Sequence, residues 1–256
     1  MTTVRGQGWE LHLGDCLDVL PTLERVDHVI TDPPYTQRTS QNARTAPDGS
    51  NGASLGDCRA YISFDGVDGL EARLADAFAD SCSRWVVVFC ALEQIGAYAA
   101  AFGDAWVRGS AWLRTNSAPQ FTGDRPGQAH EGIAIAHRRG RKRWNRGGHS
   151  WSPTGPTINA IQDPQRGTLG HPTPKPEWLM LDAVDAFTDP GETILDPFAG
   201  SGTTGVAAIR LGRRFIGIEK DPKYFELACE RLRAEEDGST LKAARAGQLP
   251  LLAGAK

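Results

Sequence analysis

The chain has no Cys-x-x-Cys pair, and its five cysteines, Cys16, Cys58, Cys82, Cys90 and Cys229, are scattered and odd in number. That excludes a disulfide framework and a zinc site of the usual spacing, so no metal is expected and a reducing compartment is. No apolar run is long enough to span a bilayer, and Met1 to Gly8 carries no apolar targeting core. A cytoplasmic protein without a membrane partner is the expectation. Positive charge is not in excess either: the formal net charge is -3, so affinity for a polyanion must come from a local basic patch. Internal repeats are absent. What remains is a 256-residue chain with 40% hydrophobic and 23% charged residues, enough for one large domain with a sizeable core.

Periodicity predicts strands over Trp9–Leu13, Val26–Thr31, Trp85–Cys90, Thr193–Leu195 and Arg214–Glu219. Helices are predicted over Cys16–Leu23, Leu70–Ser83, Leu92–Phe102, Pro174–Phe187, Thr203–Leu211 and Pro222–Glu235, the last with proline at its start. Trp106–Arg114 and Gly132–His137 read as an antiparallel pair. Alternating strands and helices mean an α/β domain, with helices on both faces of a mostly parallel sheet. It spans residues 1–240, with a tail at 241–256. A long loop rich in Ser, Asn and Gly at 36–60 is a candidate mobile flap, and regular signals vanish over 138–170.

Two motifs carry chemistry. The strand at Val26–Thr31 stops on Asp32-Pro33-Pro34-Tyr35, which places a carboxylate, a prolyl carbonyl and an aromatic face around one point. That suits capture of a planar base bearing an exocyclic amino group. Asp32 and the Asp32 or Pro33 carbonyl accept the amino hydrogens, Pro34 stiffens the turn, and Tyr35 stacks on the ring. Downstream, Asp196-Pro197-Phe198-Ala199-Gly200-Ser201-Gly202-Thr203 takes a strand through a Gly-rich turn into a helix N-terminus. Such a turn brings backbone N–H groups close to a carboxylate or a pyrophosphate. Glu219, ending the next strand, suits two ribose hydroxyls. An NAD-binding unit is the alternative tenant, disfavoured by Asp32 to Tyr35.

Together with Gly14-Asp15-Cys16-Leu17, His171-Pro172-Thr173-Pro174-Lys175-Pro176 and Ile218-Glu219, these motifs resemble, in order, those of beta-group amino-directed DNA methyltransferases. The resemblance implies the class I methyltransferase fold, Rossmann-like, with S-adenosylmethionine as cofactor. Asp15 would then bind its adenine, with Cys16 beside it in the cofactor-binding set, Phe198 would pack near the cofactor, and Thr173 and Lys175 would help hold its amino-acid end. Asp196, Pro197, Gly200, Ser201, Gly202, Thr203 and Glu219 complete the implied cofactor set. Asp at the first position of the Asp32 motif goes more often with adenine N6 than with cytosine N4. No cysteine follows a proline, which argues against cytosine C5 chemistry through a thiolate.

The resemblance also implies that 138–170 is a small, irregular target-recognition region for double-stranded DNA. The basic run Arg138, Arg139, Arg141, Lys142, Arg143 and Arg146 falls in it and is expected to meet phosphates, with Trp144 available for packing or wedging. A solvated charged face is the bland alternative. Gln248-Leu249-Pro250-Leu251-Leu252 resembles peptides that dock on bacterial sliding clamps, and members of the group often form homodimers. The expected activity is methyl transfer to adenine N6 of a flipped base in a specific site. N4-cytosine methylation is the runner-up, followed by a non-catalytic DNA-binding regulator or an RNA or protein amide methyltransferase.

Overall fold

The computed structural model describes residues 2–35, 69–117, 123–124, 126–138, 140–157, 174–241 and 245. Its strands are β1 Thr2–Gly6, β2 Trp9–Leu13, β3 His28–Thr31, β4 Trp85–Cys90, β5 Trp106–Arg114, β6 His130–His137, β7 Thr154–Gly155, β8 Thr193–Asp196 and β9 Arg214–Glu219. The helices are α1 Cys16–Val19, α2 Glu71–Ser81, α3 Ile95–Phe102, α4 Glu177–Phe187, α5 Thr203–Arg210 and α6 Pro222–Glu236. Among the described residues these strands form one sheet in the order β1-β2-β9-β8-β3-β4-β6-β5-β7. β2, β9, β8, β3 and β4 pair parallel; β6 runs against both β4 and β5, and β1 against β2.

Strand β4 shows why the sheet is buried on both sides. Trp85, Val87 and Phe89 join the core under α4, α5 and α6, while Val86, Val88 and Cys90 join the core under α2 and α3. Alternate side chains point to opposite faces, so a strand covered twice reads as a continuous apolar run. Close packing of α5 on β9 needs Gly205, where a Cβ would stand 2.6 Å from Leu232 and 2.7 Å from Phe215. Helix α6 starts where expected because Asp221 caps the N–H groups of Lys223 and Tyr224 and Pro222 follows it.

Connections set the position of the site. From β8 the chain passes through α5 to β9 on one side, whereas from β3 it passes to β4 on the other. The β8–β3 pair is therefore the point where the winding reverses, and in open α/β sheets ligands bind at the C-terminal edge of such a pair. Two strands escaped the sequence reading. β1 is an edge strand with little apolar alternation, and β7 has two residues, fixed by pairing with Leu113 and Arg114. Among the described residues no helix is long and apolar enough to cross a membrane.

Candidate active site

Leaving β3 at this edge, Asp32 meets a lysine from far along the chain. Lys175 Nζ lies 2.9 Å from Asp32 Oδ1 and 3.0 Å from Glu131 Oε2, and donates to the Tyr35 hydroxyl at 2.8 Å. The Tyr35 hydroxyl in turn donates to Glu131 Oε2 at 2.7 Å, and the ammonium lies 4.9 Å from the Tyr35 ring centre. Arg114 Nη1 stands 3.3 Å from Glu131 Oε1. Burial pushes the Asp32 carboxyl above its ordinary range, although Lys175 opposes it. Burial acts upward on Glu131 too, but Lys175 and Tyr35 outweigh it and hold that carboxyl low. For Lys175, burial is overcome by the two carboxylates, so its ammonium persists beyond the usual lysine range.

The two motifs touch directly. Thr31 Oγ1 donates to Asp196 Oδ1 at 2.7 Å, Phe198 N–H to the same oxygen at 3.1 Å, and Thr204 Oγ1 to Asp196 Oδ2 at 2.6 Å. Burial pushes the Asp196 carboxyl up to about 6 against these bonds. Asp196 thus knits the strand ends together, with buried Pro197 continuing the turn.

Beyond it, Gly200 and Gly202 turn the chain with φ of 52° and 80°, conformations that favour glycine. At Gly202 a Cβ would stand 3.1 Å from the Ala228 side chain. Gly200 N–H donates to Glu219 Oε2 at 2.7 Å and Asp221 N–H to Oε1 at 2.8 Å. Asp15 caps α1 through the Leu17 N–H and receives Lys220 Nζ at 3.0 Å. Cys16 is buried, and burial pushes its thiol up to about 12. Phe198 is half-buried and meets Phe78 edge-on.

Ser201 and Thr203 face the interior. Buried Arg231 donates through Nη1 to the Ser201 carbonyl at 2.7 Å and to both hydroxyls at 3.1 Å. Its Nη2 reaches Glu177 Oε1 at 3.0 Å, in the first turn of α4 and two residues past Lys175. One guanidinium therefore braces both the Gly-rich turn and the segment that carries Lys175.

Among the described residues, the expected cofactor and acceptor residues gather at one edge of the sheet, with Lys175 set against Asp32 and Tyr35. The basic run does not join them; it lies at the other end of the sheet. Because β6 runs against β4, Gly132 stands opposite Cys90 at the catalytic end and His137 opposite Trp85 at the other. The run follows His137, and Arg138 N–H bonds Arg84 O at that far edge. Three of its cations are matched by acids: Arg138 with Asp80, Arg143 with Asp189, and Arg146 with Asp182 and Asp185. Trp144 packs on Phe187 instead of wedging outward. Arg141 and Lys142 are exposed. Arg139, Thr173, the 36–60 loop and Gln248–Leu252 lie outside the described residues.

Glu131 and Arg231 are the residues that sequence reading missed. The signal for Glu131 was a carboxylate heading the apolar strand Gly132–His137, one residue outside its expected start. Arg231 offered none, since an arginine in an amphipathic helix reads as solvated.

A model of the N6/N4 methyltransferase family, described as DNA methylase, matches residues 26–230. The chain is 31% identical over 241 residues to the type II methyltransferase M.HinfI of Haemophilus influenzae, covering 86% of this chain and 67% of the relative. It is 57% identical over 67 residues to the type II methyltransferase M2.DpnII of Streptococcus pneumoniae, covering 26% of this chain and 25% of that one. Among solved structures, the M1.HpyAVI–SAM complex superposes with a TM-score of 0.64 at 23% identity, covering 88% of this chain and 99% of that one. The cytosine-N4-specific PvuII DNA methyltransferase gives 0.65 at 15% identity, covering 97% and 96%. At these identities the structures report the fold, and the fold agrees.

Proposed function

The chain belongs to the N6/N4 DNA methylase family, and on that premise we propose that it transfers a methyl group to the N6 amino group of adenine in a specific duplex DNA site. The observation that carries this reading is the Asp32 carboxylate, held at the reversal point of the sheet and tied to the cofactor turn through Thr31 and Asp196. S-adenosylmethionine, the cofactor, supplies an electrophilic sulfonium methyl. The residues present fit it: a glycine turn leads into a helix N-terminus, the Glu219 carboxylate closes β9, and Asp15 and half-buried Phe198 flank them.

An exocyclic amino group is a weak nucleophile because its lone pair is delocalised into the ring. Asp32 and the Pro33 carbonyl accept its hydrogens, favouring a pyramidal nitrogen whose lone pair is free to attack. Tyr35 holds the ring by stacking. Positioning and fixed charge do the work, without a covalent enzyme intermediate. Asp32, as acceptor of the amino hydrogens, receives the proton that the amino group releases. The target atom is inaccessible inside a duplex, so the base must be flipped.

Adenine is favoured by Asp at the first position of the Asp32–Tyr35 motif. The test is mass spectrometry of nucleosides from unmethylated bacterial DNA incubated with the protein and S-adenosylmethionine, beside an Asp32→Ala control. N6-methyladenine with the intact protein alone is the expected result. N4-methylcytosine would replace adenine as the target, and no modified base would sink the proposal.

A further inference from the structure

Glu131 has no part in the acceptor chemistry above, yet it binds both partners of Asp32. Its Oε2 accepts from the Tyr35 hydroxyl at 2.7 Å and from Lys175 Nζ at 3.0 Å, while Arg114 Nη1 anchors Oε1 from behind at 3.3 Å. Its side chain is 14% exposed and that of Lys175 12%, so bulk water does not screen these contacts. A lysine paired with Asp32 alone would draw that carboxylate into a contact ion pair and blunt it as an acceptor. Here two carboxylates divide one ammonium, at nearly equal distances.

Resting on the amino-methylation reading, we propose that Glu131 is a positioning residue for methyl transfer. By sharing Lys175 and taking the Tyr35 hydroxyl, it keeps Asp32 a strong acceptor and fixes the ring that stacks on the base. The strand direction explains how it gets there. β6 runs against its neighbours, so its first residues, not its last, lie at the catalytic edge.

The charges around the pair give a signed test. Asp32 faces Lys175, Tyr35 and Glu131, with Asp196 on β8, Cys90 on β4 and Tyr98 on α3 nearby. Glu131 faces Lys175, Tyr35 and Arg114. Removing the negative charge of Glu131 stabilises ionised Asp32, because like charges disfavour each other's ionisation. The acid limb of the pH–rate profile must therefore move to lower pH in Glu131→Gln even as the plateau falls. Mere structural damage would lower the plateau without that displacement.

The experiment compares full-length wild type, Glu131→Gln and Glu131→Asp in single-turnover methylation of unmethylated bacterial DNA across pH. S-adenosylmethionine affinity is measured by calorimetry, and the Asp32 carboxyl is titrated by carbon NMR. Expected for Glu131→Gln are a rate loss on the order of 100-fold, unchanged cofactor affinity, and both the acid limb and the Asp32 titration displaced downward. Glu131→Asp, which keeps the charge, should recover part of the rate with the limb in place. An unmoved Asp32 titration, an unchanged rate, or a parallel loss of cofactor affinity overturns the proposal. If wild-type protein methylates no base, the functional reading falls, while the NMR titration still decides the claim about Glu131.

Discussion

Thr31 and Asp196 meet across the β3–β8 boundary through a 2.7 Å hydrogen bond between buried side chains. Thr31 immediately precedes the acceptor Asp32, and Asp196 opens the cofactor turn, so this bond sets the register between the reacting halves. Thr31→Val keeps the shape and deletes the donor. The expected cost is about 1–3 kcal/mol, read as a fall in melting temperature. Methylation should fall further than the lost stability accounts for, and an unchanged rate at a lowered melting temperature would deny the bond any role in register.

Lys175 separates two assignments. The family resemblance puts it at the amino-acid end of the cofactor, and the structure puts its ammonium on Asp32, Tyr35 and Glu131. Lys175→Met should leave S-adenosylmethionine affinity unchanged by calorimetry and lower the rate by on the order of 100-fold. It should also destabilise the fold by about 3–5 kcal/mol, since two buried carboxylates lose their counter-ion. Lost cofactor binding with an intact rate at saturation would restore the cofactor assignment.

Asp196 gives stability a pH dependence of definite sign. Its folded pKa of about 6 lies above the ordinary aspartate value of 3.8, so the native state holds this proton more tightly than the unfolded chain does. Its contribution is full below the unfolded value and is lost as pH rises through about 6. Asp196→Asn should flatten that part of the stability profile between those limits. Denaturant unfolding of both proteins across the range is the check; parallel profiles would refute it.

The basic run is expected to be silent in DNA binding. Replacing Arg141, Lys142 and Arg143 with serine should leave the slope of log affinity against log salt unchanged, because the run follows His137 at the edge away from Asp32. A shallower slope would return these residues to the DNA interface.

Arg231→Met should weaken cofactor binding and lower the melting temperature together. It strips partners from Ser201, Thr203 and Glu177 at once, at a cost of about 3–5 kcal/mol for a broken buried pair. Cofactor titration and thermal unfolding check it, and an effect on either alone would argue against a shared brace.

Local signals made the parallel core legible. Trp85–Cys90 is apolar throughout because both its faces are covered, and Arg214–Glu219 lies between a turn and a capped, proline-led helix. The acceptor and cofactor motifs were legible because strand ends, glycines and prolines constrain the backbone locally. Glu131 and the brace at Arg231 were not, since their partners lie far away in sequence and only the sheet order brings them together. The place of the basic run was hidden for a related reason: charge density is visible in sequence, but the strand direction that carries it to the far edge is not.

The sheet order also governs how this chain comes into being. β2 pairs with β9, and β3 with β8, so strands made first wait for strands made last. On a ribosome the acceptor strand β3 emerges with β4 as a partner on one side only, and the β8–β3 junction forms only once β8 has been synthesised. Long-range parallel pairing of this kind is slow and exposes strand edges meanwhile. Nascent chains truncated before Thr193 should therefore engage chaperones and fail to acquire protease resistance, whereas chains extended beyond Glu236 should acquire it in one step.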